Sequence, residues 1–123
     1  MEILKTNELI KIDNPNPGER YRLDLVTGEQ MASKLGGFLI ILPPGREVPY
    51  HYHEKQESLI FVIGGEATEI VEGEAFPIKA GEVLFIPAKE KHGMVNKSTD
   101  DVRYLEFFTA VGSDFIEVTE RKS

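Results

Sequence analysis

The chain has 123 residues, with 21 acidic and 14 basic side chains, three histidines and no cysteine, which suits one domain with a single core. The formal net charge of −7 argues against a nucleic-acid-binding protein, which needs a basic face. No apolar run approaches the roughly 18 residues of a membrane span. The lack of cysteine excludes disulfides and thiolate metal sites, and it fits a cytoplasmic protein.

The first 20 residues are predicted to form an N-terminal arm and turn, followed by a single domain over residues 21–123. Arg20 to Leu25 alternates polar and apolar residues, which is typical of a strand with one buried face. Residues 28–35 are the one candidate for a helical turn. Further β-type runs are separated by turn residues and cover 38–42, 59–63, 66–72, 74–78, 83–86 and 102–109. This pattern predicts an all-β sandwich or barrel.

The run from residue 59 to residue 63 is apolar at every position, which indicates a strand covered on both faces. If alternate side chains from Glu57 onward face the same way, three residues of this run point into the barrel, namely Leu59, Phe61 and Ile63. We expect these three side chains to form part of the core or the wall of an apolar ligand pocket.

All three histidines lie in two short segments bounded by glycine or proline. His51 and His53 stand two residues apart, so on a strand both rings point to the same face. Glu57 can bring a carboxylate to the same place, and His92 can join only through the tertiary fold. This donor set suits one divalent transition metal ion, with Mn, Fe, Co, Ni, Cu and Zn as the candidates. Four protein ligands leave two positions open on a six-coordinate metal, whereas a tetrahedral zinc would be filled.

These segments resemble the two motifs of the cupin superfamily, in its small single-domain cupin-2 type. The first motif is similar to Gly45, His51, His53, Glu57 and Gly64, and the second to Gly81, Pro87, His92 and Asn96. Lys89 departs from the glycine that the family often has two residues after the proline. The resemblance implies a double-stranded β-helix, or jelly-roll barrel, with a metal inside. It also implies the metal ligands, which are His51, His53, Glu57 and His92.

The resemblance does not fix a reaction, because cupins include dioxygenases, decarboxylases, isomerases, epimerases and binding proteins. Our first hypothesis is a metal-dependent enzyme of the dioxygenase or decarboxylase type, acting on a small oxygenated organic molecule. One alternative is a sugar-type isomerase or epimerase. Another is a non-enzymatic module that binds a small ligand, and a third is a barrel that has kept this geometry without metal.

Two further residues are candidates for a role at the site. Glu106 lies in the aromatic run 102–109 and is a candidate base if its side chain points into the barrel; the alternative is that it faces solvent. Arg46 can pair with a substrate carboxylate through its planar guanidinium, or it can lie at the surface without such a role.

A homodimer is also predicted. Exposed barrel edges favour strand pairing between subunits, and the N-terminal arm carries apolar residues that can add to such an interface, namely Ile3, Leu4, Leu9 and Ile10.

Overall fold

The computed structural model describes residues 1, 3–26, 35–109 and 115–118. In these residues the one helix is α1 (Thr6–Leu9), which is too short to cross a membrane. The strands, in chain order, are β1 (Tyr21–Val26), β2 (Leu35–Leu42), β3 (Glu47–His53), β4 (Ser58–Gly64), β5 (Glu66–Val71), β6 (Glu74–Lys79), β7 (Val83–Ile86), β8 (His92–Val95), β9 (Val102–Thr109) and β10 (Phe115–Glu117). The helical turn predicted for residues 28–35 lies outside the described residues, apart from Leu35, which begins β2.

The strands form two antiparallel sheets of five. The first sheet has the order β1-β2-β9-β4-β7, and the second has the order β10-β3-β8-β5-β6. The predicted runs 66–72 and 74–78 form the hairpin β5-β6 across Glu72 and Gly73, in which Val71 lies opposite Glu74. Both turn residues have positive φ, 48° and 83°, as tight hairpin turns with a right-handed twist require. The all-β jelly-roll architecture predicted from the sequence is therefore confirmed.

The main core lies between the two sheets. Its buried residues come from strands of both sheets and are Ile40, Leu42, Ile60, Val62, Ala67, Ile78, Ile86, Met94, Val102 and Tyr104. On β2, β4 and β9 these are alternate positions, because successive side chains of a strand point to opposite faces. Four of these residues also line a cavity between the sheets, namely Ile40, Ile60, Met94 and Tyr104.

A second cluster covers the outer face of the first sheet. Leu9 of the arm is buried against Leu39, Ile41 and Leu105, and Ile12 packs beside it. The guanidinium of Arg103 donates a hydrogen bond to the carbonyl of Ile12, which ties the arm to β9. The first sheet is therefore covered on both faces, which explains why its central strands are apolar at nearly every position.

The register of β4 differs by one residue from our expectation. Ser58, Ile60 and Val62 face the interior, whereas Phe61 and Ile63 pack on the outer cluster and Leu59 is 48% exposed. The prediction that Leu59, Phe61 and Ile63 point into the barrel was therefore wrong. The run is apolar on both faces, so its composition could not reveal which alternate set faces inward.

Candidate metal centre

The pairing of β3 with β8 brings the three histidines together. His51 lies directly opposite His92 in this antiparallel pair, and His53 follows two residues later on the same face of β3. All three side chains are buried, with exposed fractions of 4%, 9% and 4% for His51, His53 and His92. One ring nitrogen from each lies within 4.8 Å of the others, so a single ion can contact all three.

Neighbouring groups select which ring nitrogen faces the centre. Nδ1 of His51 lies 2.6 Å from the carbonyl oxygen of Pro49, which can only accept, so Nδ1–H donates and Nε2 is left for a ligand. Nδ1 of His92 lies 2.9 Å from Oε2 of Glu69, a carboxyl on β5 that is 1% exposed. Nε2 of His92 is buried without a hydrogen-bond partner among the described residues. A buried polar atom of this kind is expected where an ion binds.

Electrostatics keep His51 neutral. Burial, and then the charge of His92, lower its pKa to about 3, although the hydrogen bond to Pro49 opposes this. At neutral pH His51 therefore carries no proton on Nε2, which is the form that binds a metal.

Glu57 is the predicted ligand that the structure does not bring to this centre. Its side chain is exposed, and its backbone is fixed to β9, because its N–H donates to Oγ1 of Thr109 at 3.0 Å. Ser58 begins β4 facing inward, so the residue before it points outward. Gln56 instead lines the cavity, with Nε2 3.5 Å from Nε2 of His53. Glu57 as the fourth ligand therefore stays a prediction of the sequence motif.

Lys89 lies in a turn whose backbone is hydrogen-bonded to His53. Its φ is 72°, a left-handed conformation that glycine adopts without strain and lysine adopts at some cost. Its backbone N–H donates to the carbonyl oxygen of His53 at 2.6 Å. The position where the sequence departs from the family pattern thus keeps the backbone geometry that a glycine would favour.

The histidines stand in the wall of a cavity of about 370 Å³ between the sheets. Glu106 lies in the same wall and is 8% exposed, because it shares the inward face of β9 with Tyr104. Of the two placements considered from the sequence, the structure shows the inward one. Burial raises the pKa of Glu106, although a hydrogen bond from Ser58 opposes the shift by stabilising the carboxylate.

Arg46 does not belong to the cavity. It is exposed, and its guanidinium donates to the carbonyl of Gly18 at 2.7 Å and to Oε1 of Glu19 at 3.1 Å. Of the two placements considered for Arg46, the structure thus shows the one at the surface, because Arg46 precedes β3 and reaches back to Gly18 and Glu19. Arg20 and Arg22 line the cavity in its place. The alternating pattern of β1 indicated that they share a face, but polar residues of a strand usually face solvent outside a barrel.

Comparison with known proteins agrees with this geometry. The Cupin_2 family model, described as a cupin domain, matches residues 38–108. An oxalate-binding protein from Thermotoga maritima is 33% identical over 101 residues, which cover 81% of this chain and 84% of that protein.

Two solved structures extend the comparison. The crystal structure of a predicted oxalate decarboxylase from Thermotoga maritima has a TM-score of 0.72 and 30% identity, over 76% of this chain and 83% of the other. The polyketide cyclase RemF from Streptomyces resistomycificus has a TM-score of 0.78 over 99% of this chain and 88% of its own, at 22% identity. The likeness to RemF concerns the fold alone.

Proposed function

The chain belongs to the cupin domain family, and from this premise we propose that it holds one divalent transition metal and acts on a small oxygenated organic molecule. The observation that carries the proposal is the convergence of three buried imidazoles at the wall of a cavity. The unpaired Nε2 of His92 points to an ion rather than to a packed core.

The donor set fits the ion. Three imidazoles suit Mn, Fe, Co, Ni, Cu or Zn, and they would leave positions open for a substrate on a metal of five or six coordination. When bound, such an ion would supply a Lewis acid or a redox centre. The native metal is part of the proposal, and His51, His53 and His92 are the residues that would hold it.

We place the activity in the dioxygenase or decarboxylase type. The similarity to an oxalate-binding protein and to a predicted oxalate decarboxylase supports a small carboxylate as the ligand. In a decarboxylation the bond to the leaving carbon dioxide breaks, and the remaining carbon takes up a proton. Glu106 suits that step, because burial favours its protonated form and its side chain lines the cavity.

Two alternatives follow from the same site. In a sugar-type isomerase or epimerase, Glu106 would carry a proton from one carbon of the substrate to another. In a binding module the ligand would occupy the cavity unchanged, which the name of the oxalate-binding relative supports. The cytoplasmic location also remains a prediction.

Elemental analysis of untagged protein, purified without chelators, is the first experiment. We expect about one transition metal ion per chain, as one three-histidine site requires. The metal-loaded protein is then incubated with small acids while oxygen uptake, carbon dioxide release and isomerised product are measured. Oxygen uptake or carbon dioxide release supports our choice, whereas isomerisation without oxygen favours the first alternative. Thermal stabilisation by an unchanged acid indicates the binding module. No metal, even after reconstitution, contradicts the proposal.

The fourth protein ligand is open to a direct test. The sequence motif assigns Glu57, whereas the structure places Gln56 beside His53. From this geometry we expect Gln56→Leu to lower metal affinity by about tenfold or more. Glu57→Gln should leave the affinity unchanged, because that side chain is exposed. Metal affinities come from competition with a chromophoric chelator, and the reverse pattern would restore Glu57 as the ligand.

We retain the homodimer as a proposal, because Ile3, Leu4 and Ile10 of the arm are exposed and the edge strand β7 offers a further apolar surface. Leu9 of the arm is buried against its own barrel, whereas Leu59 and Phe85 lie opposite each other on β4 and β7 with 48% and 58% exposure. Light scattering at micromolar concentration should give twice the 13.8 kDa chain mass. Phe85→Lys should halve that mass, and Phe76→Lys, on exposed β6, is the matched control. A single-chain mass for the unaltered protein would end the proposal.

A further inference from the structure

The size of the cavity is the first indication of what it holds. At the share of liquid volume that one water molecule takes, about 30 Å³, the roughly 370 Å³ of the cavity has room for about twelve water-sized groups. Oxalate has half as many non-hydrogen atoms. A metal ion at the histidines with oxalate as its ligand would therefore leave part of the cavity unfilled, and a larger ligand has room.

The walls indicate a flat ligand. Phe38 and Phe108 face inward from neighbouring strands of the first sheet, with ring centroids 5.4 Å apart. The ring of Phe108 lies across β2 at Gly36, where a Cβ atom would stand 2.5 Å from it, so the glycine makes room for the ring. On the opposite wall Phe115 of β10 stacks on His51, with centroids 4.2 Å apart and an interplanar angle of 18°. Phe115 is 49% exposed, so it stands at the edge of the cavity. Aromatic rings thus line both walls, which suits an aromatic ligand.

The mouth carries the only positive charges that line the cavity within the described residues. These are Arg20 and Arg22. The guanidinium of Arg22 lies 4.2 Å from the ring centroid of Phe38, and Asp24 accepts a hydrogen bond from its Nε at 2.9 Å, which orients it there. Asp24 offsets part of the charge of Arg22 through this ion pair. In a chain with a net charge of −7, Arg20 and the Nη groups of Arg22 form a local site for an anion.

We propose that the site binds an aromatic acid. The carboxylate of this acid lies at Arg20 and Arg22, and its ring lies against Phe38, Phe108 and Phe115. Further oxygen atoms on the ring face the metal that the three histidines would hold. The proposal names a substrate class for the function proposed above, and it rests on that function only for the contacts at the histidines. The arginine and phenylalanine end is present whether or not a metal is bound. It assigns recognition of the carboxylate to β1 and the residue before it, a segment that carries none of the histidines.

Three probes separate the two ends of the site. Oxalate has no ring and two carboxylates, so it should prefer the zinc, where it can chelate. Benzoate has no second donor for chelation and should prefer the ring and arginine end, and 3,4-dihydroxybenzoate can engage both. Calorimetric titration of zinc-loaded protein should give at least about tenfold tighter binding for 3,4-dihydroxybenzoate than for either of the others. Zinc is chosen because it is redox-inert, and the metal content is measured after each titration.

The double variant Arg20→Gln/Arg22→Gln should weaken 3,4-dihydroxybenzoate and benzoate at least tenfold and leave oxalate within threefold. Arg46→Gln is the matched control, because this exposed arginine lies outside the cavity, and it should change none of the three. The proposal would be overturned if oxalate bound as tightly as 3,4-dihydroxybenzoate or more tightly. It would also be overturned if the double variant bound the aromatic acids with unchanged affinity.

The same titrations distinguish this failure from a failure of the metal site. Removal of zinc should weaken oxalate binding at least tenfold, because only the arginines then remain for it, and leave benzoate binding intact. If the protein takes up no zinc but benzoate still binds through the arginines, the metal-dependent function fails and the aromatic-acid site stands. If zinc and oxalate bind but benzoate does not, the function stands and the aromatic-acid site is wrong.

Discussion

Replacing His51 and His53 together with alanine is expected to abolish metal retention. The change removes two of the three imidazoles whose ring nitrogens converge within 4.8 Å, and His92 alone cannot hold an ion against water. Elemental analysis after dialysis should therefore find no stoichiometric metal in the double variant, while the unaltered protein retains about one ion per chain.

The control for this experiment is Tyr52→Phe, on the same strand between the two histidines. Tyr52 points away from them and is half-buried, so the variant should keep its metal. Circular dichroism checks that the double variant is folded, which we expect because the main core contains neither histidine. Stoichiometric metal in a folded double variant would show that the ligands lie elsewhere.

The second large effect is expected at Glu69, which contacts no substrate position in our proposal and acts through His92. Its carboxylate accepts the hydrogen bond from Nδ1 of His92 and so directs Nε2 towards the centre. In Glu69→Gln the amide can donate to Nδ1 instead, which favours the tautomer with a proton on Nε2. We expect metal affinity to fall ~10–100-fold, the usual cost of losing such a partner.

A readout besides metal affinity separates positioning from a merely structural role. Burial raises the pKa of Glu69, so an uncharged amide should leave the metal-free protein at least as stable in urea unfolding. Glu106→Gln makes the same chemical change elsewhere in the cavity wall and should leave metal affinity unchanged. Equal loss of affinity in both variants, or collapse of the metal-free fold in Glu69→Gln, would contradict the role given to Glu69.

Much of the fold was predictable, because turn residues bound nearly every strand. Glycines and prolines fixed the limits of β7 and of the β5-β6 hairpin, and the two-residue spacing of His51 and His53 predicted their shared face. The single turn of α1 was missed, because four residues show no helical periodicity.

The composition of the cavity was harder to predict for a physical reason. A charged residue on a strand normally faces water, so Glu69 and Arg22 gave no signal of a place in the barrel wall. Strand β1 turns its apolar face outward, because the arm covers the first sheet there, and its charged face towards the cavity. The sequence of β1 alone does not show that its charged face points inward, because this orientation depends on where the arm packs in the folded chain.

The cavity and the main core share residues, and this sharing limits how the protein can diversify. Ile40, Ile60, Met94 and Tyr104 line the cavity and also belong to the core cluster. Truncating such a side chain to alanine costs ~2–5 kcal/mol, a large part of a typical folding free energy of about 5–15 kcal/mol. Arg20, Arg22 and Phe115 line the same cavity but lie outside the cluster. New ligand preferences can therefore evolve at Arg20, Arg22 and Phe115, whereas the cavity residues that also belong to the core are held constant by the demands of folding.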